Sequence, residues 1–338
     1  MDWFEKLTGF RETHHDETRA RLEVEGRNLR SIVNGACYGI GALELVSLQD
    51  LRERAISSRN PSGKIKVNVV QGNIRSMHQS PENAGALFQV ASQFNLLEMV
   101  SPDVTPEQGV TRYQNDPTQG PACAIAAGAA TIYRNYFTPV DGSFGQTAER
   151  QLNGLADLGV ALSSGTKLPV GELWKMKNGY ALASQDGLEA INEYLRTLTK
   201  NQIDNLRSKL QVGFHQGVEV TEAPGPDRPY VSQLFCSAMP VAYTDVPSYF
   251  WQPLASLVLE AAYEATAWAT LINSRHGASN VVFMTLLGGS AFGNDKNWIY
   301  AAMIRALELM RPFAVEVKLV SYGAPSRELI AIAKKFSE

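Results

Sequence analysis

The chain has 338 residues and a formal net charge of −3 from 31 basic and 34 acidic side chains, long enough for one large domain or two ordinary ones. That balance gives no basic stripe for nucleic-acid binding, and no run of 18 apolar residues suggests a membrane span. Cys37, Cys123 and Cys236 stand far apart without CxxC or CxxH spacing, so neither a disulfide frame nor a metal site is expected. The start, Met1 to Lys6, lacks the blocks of a signal peptide, and an intracellular soluble protein is expected.

Residues 1 to about 58 read as helical, with Ser47 able to cap a helix through Leu51 and Ile56, before Asn60-Pro61-Ser62-Gly63 breaks the chain. Ile65 to Ile74 alternates like a strand, and Ala86 to Ala91 reads as a second one, followed by a polar turn from Ser92 to Asn95. Ser101 to Gln119 is irregular and rich in Pro, Asp, Gln and Thr, the pattern of a functional loop. Gly120-Pro121 then opens a helix of small residues as far as Tyr133. Residues 140 to 221 read as an inserted elaboration. It holds a helix near Thr147 to Leu158, a hairpin around Asn178-Gly179 and a long polar helix from Leu188 to Leu210. A strand region from Val231 to Tyr243, a core helix over 251–274, a buried strand from Val281 to Leu287, a helix, the strand Val315 to Tyr322 and a last helix from Ser326 complete the chain. Strands alternating with helices imply an α/β fold, a mixed sheet covered on both faces. The expected organisation is a helical N-terminal extension, 1–63, and a ligand-binding domain, 64–338, carrying the insertion at about 140–221.

The segment after Val281 carries the strongest functional signal. Its apolar strand runs into Gly288-Gly289-Ser290-Ala291-Phe292-Gly293-Asn294-Asp295 and then into a helix bearing Ala301, Ile304 and Leu307 on one face. Such a turn lets backbone N–H groups approach an anion beside a positive helix end, so a phosphate-bearing ligand is expected. A tight strand–helix connection that binds nothing is the plain alternative. Two further polar turns, Gln71 to Ile74 and Thr118 to Pro121, also follow or precede elements where an open α/β sheet collects ligands. Two glycine-bearing turns that each feed a helix suit a diphosphate. Neither matches the P-loop, and neither gives the dinucleotide GxGxxG.

Together these segments resemble a divergent macrodomain, similar to poly(ADP-ribose) glycohydrolase and to macrodomain hydrolases that remove ADP-ribose from proteins. The resemblance rests on Gly72-Asn73-Ile74 after a strand, on Phe88 to Asn95, on Thr118 to Cys123, on Gly289 to Asp295 and on the late strand Val315 to Tyr322. It covers roughly residues 65–135 and 229–338. It implies a three-layer α/β/α fold and ADP-ribose, free or on a protein, as the partner, with no metal, no cofactor, no nucleic acid and no membrane. It further implies that Asn73 and Ile74 face adenine and that Asn95 holds the distal ribose. Thr118, Gln119 and Gly120, with Gly288, Gly289, Ser290, Ala291, Phe292, Gly293 and Asn294, would clasp the diphosphate, Phe292 also packing on the distal ribose. Tyr322 would stack on the base or ribose edge. In place of the aspartate that the family uses toward adenine the chain has Asn73, and its first phosphate loop has one glycine and no following glutamate pair.

The activity implied is water attack at the anomeric carbon of the distal ribose, releasing ADP-ribose from a modified protein such as ubiquitin or another small protein. A reader that binds ADP-ribose without turnover is the alternative. Hydrolysis needs a carboxylate, or the substrate's own diphosphate, to hold the water. Asp116 leads as the catalytic candidate because it lies just before the first phosphate loop, with Glu98, Asp103 and Glu107 behind it. Asp116 could equally form an Asp-Pro turn, and the others could be solvated surface carboxylates. Asp295 reads as a helix cap, His14-His15 as solvated, and Cys123 as a packing residue, not a nucleophile paired with His215. A monomer is expected.

Overall fold

Seven strands, numbered in chain order, build one sheet: β1 (Ala42–Ser47), β2 (Lys66–Gln71), β3 (Leu87–Ala91), β4 (Gln211–Glu219), β5 (Tyr230–Cys236), β6 (Val281–Met284) and β7 (Glu316–Ser321). Their spatial order is β1-β4-β5-β3-β6-β7-β2. The β1/β4 and β4/β5 pairs are antiparallel and the rest are parallel. Six helices frame the sheet: α1 (Leu48–Ile56), α2 (Gln119–Ala126), α3 (Gly128–Tyr136), α4 (Ser248–Arg275), α5 (Lys296–Met310) and α6 (Arg327–Ser337). The computed structural model describes residues 1–57, 62–275 and 277–337. Among them, no helix is long and apolar enough to cross a membrane.

Strand alternation divides the core in two. Leu87, Leu234, Cys236, Val282 and Met284 face one side, where α1, α4, α5 and α6 pack. Phe88, Phe235 and Phe283 face the other, against Cys123 and Ala126 of α2 and Ala130 of α3. Because both faces are covered, β3 is buried almost throughout, and its one polar side chain, Gln89, is hydrogen-bonded inside. This is a three-layer α/β/α arrangement.

The N-terminal region departs from the helical expectation for 1–63. Among the described residues, only Trp3–Thr8, His15–Arg19 and α1 are helical there. Leu22–Glu25, Asn28–Ser31 and Cys37–Gly39 form a three-stranded antiparallel sheet, and β1 is an edge strand of the main sheet. The reason is local. Leu29 and Ser31 point inward while Asn28 and Arg30 point out, a period of two, and Gly26 supplies the positive φ of 61° that the hairpin turn requires. Ser47 does cap α1, in a capping box with Asp50. Of the expected chain break, Asn60 and Pro61 lie outside the described residues.

Nor is 140–221 a simple insertion. Its last strand, β4, sits between β1 and β5, and Leu158, Leu162, Leu188 and Ile191 share the main core. The helix expected at 147–158 begins only at Ala156 and runs to Thr166. The expected long helix is two, Gln185–Thr197 and Lys200–Arg207, because Thr199 and Gln202 make a second capping box. The Asn178-Gly179 hairpin forms, pairing Trp174–Lys177 with Tyr180–Ala183.

Candidate functional site

The parallel half of the sheet opens where two neighbours part. β3 and β6 pair only at Leu87/Val282 and Phe88/Phe283. Beyond that point side-chain amides take over from the ladder. Gln119 accepts from the Ala91 N–H at 2.8 Å and donates to the Gln89 carbonyl at 2.8 Å. Gln89 in turn donates to Thr266 Oγ1 at 2.9 Å and accepts from the Thr285 N–H at 3.2 Å. A cleft of about 650 Å³ lies over the carboxyl ends of β2, β3, β6 and β7. That is the size of a nucleotide-sugar pocket, in the place where open α/β sheets hold ligands.

Two stretches of backbone present amides to it. At the start of α2 the N–H groups of Gln119 and Gly120 have no acceptor among the described residues, and both residues line the cleft. Gly120 is needed for close packing, since a Cβ there would meet the Ala91 carbonyl oxygen at 2.1 Å. Opposite, in the turn after β6, the amides of Ser290, Ala291 and Phe292 are likewise unengaged among the described residues. This turn is held from behind. Tyr263 of α4 donates to the Thr285 carbonyl and accepts from the Leu287 N–H at 3.0 Å, while Gly288 takes a φ of 72°. Asn294 donates to the Met239 carbonyl at 2.8 Å and to Gly288 at 3.2 Å. Asp295 caps α5 by accepting from the Asn297 N–H at 2.7 Å. Thr285 Oγ1, buried at the cleft floor, has no partner among the described residues. The arrangement is an anion-binding one: unengaged amides near a helix N-terminus, with exposed Lys296 at the rim.

Two carboxylates line the cleft. Asp116 accepts from the Thr118 N–H at 2.8 Å through Oδ1, and its other oxygen is unengaged among the described residues. Glu98 is fully enclosed. Arg134 Nη2 donates to both of its oxygens at 3.2 Å, and burial nevertheless pushes its carboxyl up to about 7, with Arg134 opposing the shift. Three rings from separate segments close one wall: Tyr180 lies 4.9 Å from Tyr243 and 5.4 Å from Phe292 between centroids.

Of the residues expected to form the site, the structure brings Asn73, Ile74, Glu98, Asp116, Thr118, Gln119, Gly120, Gly288, Gly289, Ser290, Ala291, Phe292 and Tyr322 to this cleft. Others lie elsewhere. Asn95 is fully buried, its amide accepting from the Leu97 N–H at 3.0 Å and donating to Gln151 at 2.8 Å, so it shapes a turn and does not line the cleft. Asp103 is largely exposed and pairs with Lys177. Glu107 accepts from the Ala148 N–H at 2.8 Å. Neither Gly293, which is exposed, nor the buried Asn294 lines the cleft. Gln119 lines the cleft with its side-chain amide already engaged on β3, so its contribution there is the backbone N–H. Cys123 is buried with its thiol pushed far up by desolvation, an inert packing residue. His215 is buried against the Ile40 carbonyl at 2.6 Å, its ring pushed down to about 3 by burial. Tyr180 and Tyr243 were missed by the sequence reading. The Asn-Gly hairpin signal was visible, but nothing in it says that the arm after the turn closes a distant cleft.

No protein-family model matches the chain, and no curated protein does. Among solved structures it is similar to poly(ADP-ribose) glycohydrolase from Deinococcus radiodurans in complex with ADP-ribose, at 11% identity over 87% of this chain and 93% of that one, with a TM-score of 0.46. It is also similar to poly(ADP-ribose) glycohydrolase from Thermomonospora curvata bound to the inhibitor ADP-HPD, at 13% identity over 92% and 94%, with a TM-score of 0.42.

Proposed function

We propose that the protein hydrolyses ADP-ribose from a modified protein by water attack at the anomeric carbon of the distal ribose. The observation that carries this reading is the meeting, in one cleft at the carboxyl ends of parallel strands, of two sets of unengaged backbone amides with a carboxylate beside the first. The amides of Gln119 and Gly120 and those of Ser290 to Phe292 would hold the two phosphates. Asp116 is the group to hold the attacking water, since one of its oxygens is unengaged and can accept the proton. Glu98, enclosed by Arg134, serves the wall better than the water. The choice of ADP-ribose, and of a protein such as ubiquitin as the modified target, follows from the macrodomain resemblance of these loops.

One observation favours a second reading, a binding module without turnover. The capping bond from Thr118 holds Asp116 on its own turn, and the other cleft carboxylate is enclosed. Calorimetric titration with ADP-ribose, using AMP and ribose-5-phosphate as controls, tests the shared part: affinity in the micromolar range, about −8 kcal/mol, is expected. Release of ADP-ribose from a modified protein separates the two. Hydrolysis that falls at least about 100-fold in Asp116→Asn, with binding kept within about threefold, supports the hydrolase. Binding without release supports the module. The lack of any heat from folded protein rejects both.

A further inference from the structure

Outside the cleft, two arginines converge on one carbonyl. Arg19 ends the helix His15–Arg19, and its Nη1 donates to the Phe144 oxygen at 3.2 Å. Arg150 Nη2 donates to the same oxygen at 3.4 Å and to the Gly145 carbonyl at 3.3 Å, and its Nε also reaches Gly145 at 3.4 Å. Two like charges thus share a carbonyl dipole, and neither has a carboxylate partner among the described residues. On the same segments, Asp16 turns to His15 and Glu17 to Thr13, while Asp141 and Glu149 are exposed and make no ion pair among the described residues. Nε and Nη2 of Arg19 and Nη1 of Arg150 have no acceptor among the described residues.

The shared carbonyl belongs to a small hairpin that pairs Pro139–Val140 with Ser143–Phe144. The Phe144 ring is 56% exposed at its side, and Arg19 also lies 5.6 Å from the centroid of the Phe137 ring. Unpaired arginine beside an exposed aromatic ring is the composition that interface centres favour over ordinary surface. The arginines call for carboxylates, and the ring for an apolar side chain next to them.

Both segments are bonded to the loop that leads to Asp116. After the hairpin, the Ala148 N–H donates to Glu107 at 2.8 Å and the Gln146 N–H to the Asn135 carbonyl at 2.8 Å, while Asn135 Nδ2 donates to the Pro106 carbonyl at 3.1 Å. On the side of Arg19, the His15 ring stacks on Tyr136 at 4.7 Å, and Tyr136 donates to Glu12, which accepts from the Val110 and Thr111 N–H groups.

We infer that Arg19, Arg150 and Phe144 form a docking site for an acidic segment of the modified protein whose ADP-ribose enters the cleft. The inference rests on the reading of the cleft as acting on a modified protein. An incoming carboxylate takes the free N–H edges and relieves the repulsion between the arginines, and a neighbouring apolar side chain covers Phe144.

The experiment is fluorescence anisotropy with a fluorescein-labelled peptide of alternating glutamate and leucine, against one of alternating lysine and leucine. The wild type is expected to bind the acidic peptide with a dissociation constant of about 100 μM or below at low salt, and the basic one at least about tenfold more weakly. Arg19→Gln with Arg150→Gln should weaken the acidic peptide at least about tenfold, and Phe144→Ser at least about threefold. Because both arginines also brace the hairpin, melting temperatures accompany each variant. Arg19→Lys with Arg150→Lys, which keeps the charges, should retain binding within about threefold of the wild type. ADP-ribose affinity, measured by calorimetry, should be the same in all these proteins. Acidic and basic peptides bound alike, or an acidic peptide unbound or indifferent to the glutamine pair, would overturn the inference while the heat with ADP-ribose leaves the cleft reading standing. Peptide binding without heat from ADP-ribose would instead remove the cleft reading, and with it the modified protein as the occupant.

Discussion

Glu98 and Arg134 show how burial and pairing compete at one position. Both side chains are almost wholly enclosed, and desolvation outweighs the pairing, so the Glu98 carboxyl stands near 7 instead of its ordinary 4.5. The folded state therefore binds more protons than the unfolded chain between pH 4.5 and 7. The contribution of Glu98 to stability is complete below the unfolded value and is lost as pH rises through 7. Glu98→Gln, which mimics the protonated form, should track the wild type near pH 5 and gain on it above pH 7, as denaturant midpoints at the two pH values would reveal. Gly120 is a purely steric case. The Cβ of Gly120→Ala would sit 2.1 Å from the Ala91 oxygen, so the start of α2 must move. A cost of about 1–3 kcal/mol is expected, together with weaker ligand binding, measured by denaturation and calorimetry.

At the scale of elements, the cleft depends on a segment that takes no direct part in it. Glu12 accepts from the N–H groups of Val110 and Thr111 at 2.8 and 2.7 Å and from the Tyr136 hydroxyl at 2.8 Å, while Trp3 donates to the Thr111 carbonyl at 3.1 Å. This clamp holds the turn that delivers Tyr113 and Asp116 to the cleft, and Tyr113 in turn accepts from the Glu98 N–H at 3.0 Å. Glu12→Ala should cost roughly 2 kcal/mol and speed hydrogen exchange at Val110 and Thr111. The turn after β6 answers to charge. Ala291 is exposed and lines the cleft, so Ala291→Glu should leave the melting temperature nearly unchanged. It should lower ADP-ribose affinity at least about tenfold in calorimetry by setting a carboxylate against the phosphates.

For the whole molecule, buried histidines set the acid limit. His78 is enclosed between the Ile74 carbonyl at 2.8 Å, Gln233 at 3.2 Å and the Phe88 ring at 3.7 Å between centroids, and burial pushes it down to about 4. His215 is pushed down to about 3 in the same way. The unfolded chain, titrating near 6.5, therefore binds more protons than the fold below that value. Stability is held above pH 6.5 and lost as pH falls through about 4, by about 3 kcal/mol from His78 alone. Between pH 4.5 and 6.5 this loss opposes the gain from Glu98. His78→Gln with His215→Gln should be less stable at pH 7 yet change less between pH 7 and pH 4, as urea unfolding at both values would show.

The sequence by itself determined the parts whose information is local. Val281 to Leu287 reads as a buried strand, of which Val281–Met284 forms one, Asn178-Gly179 reads as a hairpin, Ser47 and Asp295 as caps, and Gly288 to Phe292 as part of a turn of close-approaching amides, because each depends on neighbours within a few residues. Only the tertiary structure decided what depends on distant partners. Strands β1 and β4, from regions read as an extension and an insertion, enter the main sheet because each completes the hydrogen-bond ladder of the other and β4 that of β5. Asn95 is withdrawn from the cleft by Gln151, and Asp103 by Lys177, partners 56 and 74 residues away. Tyr180 and Tyr243 join Phe292 through packing that no spacing announces. Propensity and capping act along the chain, whereas which polar groups remain unengaged is settled only when every long-range partner is in place.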